Sequence, residues 1–63
     1  MTYYNVTVQN RKDLREIHIY KYVKHIVFAA DRDAIILYFS DGYKAYYNLK
    51  DWNVTAETIH IAR

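Results

Sequence analysis

The sequence predicts an all-β fold, a small antiparallel sheet or partly open barrel of five or six strands, and three observations carry that prediction. Nearly every segment alternates apolar and polar residues with a period of two, as half-buried strands do. The alternating positions are filled with Val, Ile, Thr, Tyr and Phe, which suit a pleated surface. One segment, "AIILYFSDGYKAYYNL", places the only Gly of the chain between two such runs and reads as a hairpin.

Residues 3 to 9 form the first predicted strand, with Tyr4, Val6 and Val8 on one face and Tyr3, Asn5, Thr7 and Gln9 on the other. Residues 10 to 15 are polar and predict a loop or at most one helical turn, with Asn10 as N-cap and Asp13 in the first turn. A helix running from Asn10 to His25 is disfavoured, because Ile17, Ile19, Tyr20, Tyr22 and Val23 would spread around the cylinder instead of forming one stripe. As a strand, the same segment places Ile17 and Ile19 inward and His18, Tyr20 and Tyr22 outward. The alternation loses phase between Tyr22 and His25, which predicts a bend or bulge before Ile26, Phe28 and Ala30 resume it.

Asp31, Arg32 and Asp33 make a polar turn leading into the hairpin. Its register follows from the side chains. A two-residue loop, Asp41-Gly42, would set Phe39 opposite Lys44 and mix apolar and charged groups on one face. A three-residue loop, Ser40-Asp41-Gly42, sets Phe39 opposite Tyr43, Leu37 opposite Ala45 and Ile35 opposite Tyr47, and gives one apolar face. Gly42 then takes the left-handed conformation, which costs Gly alone nothing. Ile36, Tyr38, Lys44, Tyr46 and Asn48 occupy the other face, which is not cleanly polar and so is either covered or a contact surface. The last strand runs from Trp52 to Ile61, with Trp52, Val54 and Ala56 in phase and a switch near Glu57 to Ile59 and Ile61.

Two phrases recur: Asn-Val-Thr at 5–7 and 53–55, and Ile-His-Ile at 17–19 and 59–61. Their spacing differs between the copies, so they read as two strands of similar pattern, each with Ile inward and His outward. The two Asn-Val-Thr triplets are glycosylation acceptors only in a secreted protein.

The chain of 63 residues is a single domain, and so short a chain buries a small share of its surface. Chains of this size rely on disulfides, metals, good packing or association. With no Cys, disulfides and thiolate zinc sites are closed to it, and a reducing compartment is favoured. No signal-peptide pattern opens the chain, and no apolar run approaches the ~20 residues that span a bilayer. A soluble, cytoplasmic protein with no membrane partner is expected.

The net charge of +2 is small but unevenly distributed. Residues 11 to 25 hold Arg11, Lys12, Arg15, Lys21 and Lys24 against Asp13 and Glu16, whereas residues 26 to 63 carry a slight acidic excess. Those five cations are the candidates for a nucleic-acid-binding alternative, by contact with the backbone phosphates of single-stranded or structured nucleic acid. His18 and His60, with His25 or a carboxylate, are the only candidate metal ligands, and no short ligand spacing supports them, so neither metal nor cofactor is expected. Ser40 lies in a turn beside Asp41, with no nucleophile elbow and no phosphate-cradling Gly loop around it, and an enzyme is not expected.

Tyrosine offers large contact area at low side-chain entropy cost, so the eight Tyr favour binding over catalysis. The expected protein-binding residues are Tyr20, Tyr22, Tyr38, Lys44 and Tyr46. Exposed strand edges further predict a homodimer. Over "VKHIVFAADRDAIILYFSDGYKAYYNLKDW", residues 23 to 52, the chain resembles the short β-rich proteins that phages and prophages of Gram-positive bacteria encode. The resemblance lies in the hairpin followed by an aromatic and in the Ile-, Tyr-, Lys- and Asn-rich vocabulary. It implies an inhibitor of host defence or of a host enzyme, of the anti-CRISPR kind, and assigns no functional residue. The expected function is thus a non-catalytic binding protein that occludes a host nucleic-acid-handling protein such as a CRISPR nuclease, working in the cytoplasm of the bacterial host. The alternatives are direct nucleic-acid binding and a self-assembling structural role.

Overall fold

The computed structural model describes residues 2 to 61. Among them run five strands: β1 (Thr2–Asn10), β2 (Ile17–Ala29), β3 (Ala34–Phe39), β4 (Lys44–Asn48) and β5 (Trp52–His60). All neighbours are antiparallel, in the order β4-β3-β2-β1-β5. The first four strands form a meander, and β5 returns to the far edge to pair with β1.

That order forces the sheet to curl. Strands lie about 4.8 Å apart, so a flat sheet would separate β4 from β5 by about 19 Å. The four steps of chain from Asn48 to Trp52 reach at most about 14 Å. The linking turn is tied to both sides: Leu49 N–H donates to Asp33 O at 2.9 Å, and Arg11 N–H donates to Asp51 O at 2.8 Å. The Arg11 guanidinium adds a bond to Leu49 O at 3.1 Å. The sheet curls but stays open, since β4 and β5 are not hydrogen-bonded neighbours.

The inner face of the curl holds the core. Val6, Val8, Val23 and Leu37 are fully buried, with Tyr4, Tyr20, Ile26, Ile35, Phe39, Tyr47, Trp52 and Val54 among the side chains packed around them. Aromatic rings close the layer over strands that lie between them. Tyr20 on β2 meets Tyr47 on β4 across β3, and Tyr47 packs edge-on against Trp52 with ring centroids 5.2 Å apart. His18 lies 5.7 Å from Trp52, joining β2 to β5 over β1. Such contacts across an intervening strand are possible only on the concave side.

The hairpin forms as its residues predict. Leu37 faces Ala45 and Ile35 faces Tyr47, Phe39 N–H donates to Tyr43 O at 2.9 Å, and Gly42 sits at φ 92°. Asp41 Oδ1 accepts from Tyr43 N–H at 3.1 Å, which fastens the turn. On β1, Tyr4, Val6 and Val8 lie inward as expected. The loop after β1 contains no helical turn; Asn10 Oδ1 instead accepts from the N–H groups of Lys12 and Asp13. The one helical turn among the described residues is a 3-10 turn at Ala30–Arg32, where the sequence predicts a polar turn.

Two expectations are corrected. Tyr20 and His18 face inward and Ile17 and Ile19 outward, the reverse of the predicted assignment: Val6 pairs with Tyr20 and Val8 with His18, and residues opposite each other share a face. The cause is a bulge. β2 uses three steps from Tyr20 to Val23 where β1 uses two from Val6 to Tyr4, and Tyr22 takes φ 60° to absorb the extra residue. A second shift between Val23 and His25 restores the pairing with β3, so the predicted loss of phase is present but resets the strand in the opposite sense. In β5 the expected switch near Glu57 is absent. Register with β1 is continuous from Asn10↔Trp52 to Thr2↔His60, which puts His60 on the inner side and Ile59 on the outer.

Candidate binding surface

The outer face of β2, β3 and β4 presents two cross-strand rows. Val27, Ile36 and Tyr46 lie directly opposite one another in one row, and His25, Tyr38 and Lys44 in the next. Cross-strand neighbours lie about 5 Å apart and successive rows about 7 Å, so these six side chains form one contiguous patch. No element of the described chain covers it: Val27 is 44 % and Tyr46 54 % exposed. Its centre is apolar and aromatic, and His25 and Lys44 stand at the two ends of the second row, either side of Tyr38.

Of the five expected contact residues, the structure brings Tyr38, Lys44 and Tyr46 together. Tyr22 also lies on the outer face, but its ring packs edge-on against Tyr3 at 5.9 Å, toward β1. Tyr20 is on the opposite face, in the aromatic layer over the core, and cannot touch a partner docked on the other four. Val27 and His25 are not among the contact residues that the sequence predicts. The signal that finds them is their pairing with Ile36 and Tyr38 once the strand order is known, since alternation alone does not say which strands are neighbours.

The five cations of the nucleic-acid alternative do not converge. Arg11, Lys12 and Arg15 lie in the loop between β1 and β2, where Arg15 pairs with Asp13 at 3.2 Å and Lys12 approaches Asp51 at 4.0 Å. Lys21 and Lys24 sit on β2 at the two bulges, well along the strand from that loop. His18 and His60 are also far apart, aligned with Val8 and Thr2, six residues or about 20 Å along β1. His18 approaches Glu16 at 3.4 Å and His60 approaches Thr2 Oγ1 at 3.4 Å, so they do not share a ligand site. Ser40 and Asp41 remain turn residues.

Tyr47 has a displaced ionisation. Burial raises its phenol well above the ordinary value of 10.0, and the hydrogen bond with the Tyr20 hydroxyl adds to the effect. A folded-state pKa raised above the unfolded one contributes stability that is complete below pH ~10 and is lost as pH rises past it. An absorbance titration should therefore show at least one tyrosine that ionises only as the fold opens, and Tyr47→Phe should remove that late phase. A Tyr47→Phe titration identical to that of the parent would contradict the assignment.

The chain matches no family model, no curated protein and no solved structure. No helix among the described residues is long and apolar enough to cross a membrane.

Proposed function

We propose that this chain is a non-catalytic binding protein that covers and blocks a surface of a protein partner with the outer face of β2, β3 and β4. The observation that carries the reading is the uncovered patch of Val27, Ile36, Tyr38 and Tyr46, flanked by His25 and Lys44. Apolar and aromatic side chains held rigid by a sheet lose little entropy on docking, and Tyr at the centre of such a patch commonly dominates binding energy. The scattered and partly paired cations support protein over nucleic acid as the ligand, because phosphate-driven binding needs several unopposed cations on one track. The resemblance of residues 23 to 52 to short phage and prophage proteins makes a host nucleic-acid-handling protein, such as a CRISPR nuclease, the partner class to test first.

The test is a pull-down from a Gram-positive lysate with and without nuclease, run beside the double variant Val27→Asp/Tyr46→Asp. Both substitutions are at exposed positions and leave the core intact. A captured protein that resists nuclease and is retained at least ~10-fold less by the variant, equivalent to about 1.4 kcal/mol, is the expected result. Equal capture by the variant, or capture abolished by nuclease, would overturn the reading.

A further inference from the structure

The patch above concerns one face of the sheet; the edge at β5 carries an independent inference. The bond from Arg11 N–H to Asp51 O fixes the phase of the β1–β5 ladder: Asn53, Thr55, Glu57 and Ile59 turn their backbone groups toward β1. Trp52, Val54, Ala56, Thr58 and His60 therefore turn theirs outward, where no described backbone group meets them. This edge is nine residues long, in unbroken register with β1, and its single charge is Glu57. Proteins usually guard an edge of this kind with Lys, Pro or a bulge. The opposite edge, β4, is only five residues long and has Lys44 among its outward-bonding residues.

We infer that β5 pairs antiparallel with β5 of a second copy about a two-fold axis at Ala56, joining the two sheets into one. The register is self-complementary. The outward-bonding residues pair only with each other, as Ala56 with Ala56, Val54 with Thr58 and Trp52 with His60 of the second copy. On the other face Thr55 opposes Glu57, so no like charges stand directly opposite, and the smallest of these side chains lies on the axis. The dimensions of one copy fit a protein that completes itself by association. Its accessible surface of 4815 Å² exceeds the about 4,300 Å² expected for a compact monomer of 7.6 kDa, and its radius of gyration of 12.1 Å exceeds the about 10.6 Å expected for its length.

The chain lacks cysteine, so a single introduced thiol reports the register. Ala56→Cys places two thiols across the axis at a spacing a disulfide accepts, whereas the thiols of Thr58→Cys stay about 13 Å apart along the strand. Under mild oxidation Ala56→Cys should convert almost fully to a covalent dimer, and Thr58→Cys should not. Sedimentation of the parent chain should give twice 7.6 kDa. Ala56→Pro removes only an outward N–H, which an edge strand tolerates, and should sediment at 7.6 kDa with its circular dichroism unchanged. If that variant fails to fold, the parent mass and the cysteine pair still decide. A parent that sediments as a monomer, equal crosslinking of the two cysteine variants, or a folded Ala56→Pro that remains dimeric would each overturn the inference.

Discussion

Replacing Leu37 by Ala is expected to leave much of the chain unfolded at 25 °C. Leu37 is the largest of the five fully buried side chains, and it sits on the interior strand β3, between Ile26 on β2 and Ala45 on β4. Truncating a buried Leu costs about 2–5 kcal/mol, the higher values applying where the surroundings cannot collapse into the space. Here the walls are β-strands locked in a ladder on both sides, which favours the upper half of that range. A chain of 63 residues has only about 3–9 kcal/mol to lose. Urea unfolding followed by circular dichroism should show the transition of Leu37→Ala shifted to low denaturant or abolished. Leu37→Met, which keeps the volume, should cost less than about 1.5 kcal/mol. A Leu37→Ala midpoint close to that of the parent would mean that the core is centred elsewhere.

The smallness of this core connects the fold to the two surfaces. A single curled sheet buries chiefly its inner face, so most of its outer face and its edges remain available. The ladder already fixes the backbone that lines up Val27, Ile36 and Tyr46, so docking has only side-chain freedom left to lose, and the same ladder holds the outward groups of β5 ready for a new strand. Binding to either surface stabilises the folded state by mass action. The fold is thus expected to be firmer in its complexes than alone.

Much of this was legible in the residues, and the exceptions have physical causes. The hairpin could be read to single-residue register because one Gly fixes the turn and only one register keeps Phe39, Leu37 and Ile35 with apolar partners. β1 was legible because Tyr4, Val6 and Val8 alternate with Asn5, Thr7 and Gln9. Between Tyr22 and His25 the loss of phase was visible, but its effect on the preceding residues was not, since a bulge can keep or reverse a face and only the partner strands decide. In β5 the residues beyond Ala56 lie at the rim of the sheet, where the inner face has fewer neighbours and Thr58 and His60 can occupy it. Residue type there no longer reports the side. Of the contact patch, Tyr38, Lys44 and Tyr46 followed from the hairpin alone, while Val27 and His25 depend on β2 lying beside β3.

The reversal in β2 leads to the second large effect. Tyr20→Ala is expected to cost about 2–3 kcal/mol, and Ile19→Ala less than about 0.5 kcal/mol. Hydrophobicity alone would rank them the other way. Ile19 is 65 % exposed on the outer face, so truncating it opens no cavity. Tyr20 touches Phe39 with ring centroids 5.5 Å apart, meets Tyr47 across β3, and shares a hydrogen bond with the Tyr47 hydroxyl. Its loss removes the bridge between β2 and β4 and leaves a half-buried phenol without its partner, a penalty of about 1 kcal/mol in itself. Tyr20→Phe should show that smaller part alone. Paired urea titrations of the three variants check the assignment directly: a costly Ile19→Ala beside a harmless Tyr20→Ala would place the bulge elsewhere and restore the simple alternation, with Ile17 and Ile19 in the core. The same experiment bears on the binding surface, because a Tyr20 that bridges β2 to β4 from within helps hold Val27, Ile36 and Tyr46 in line on the outside.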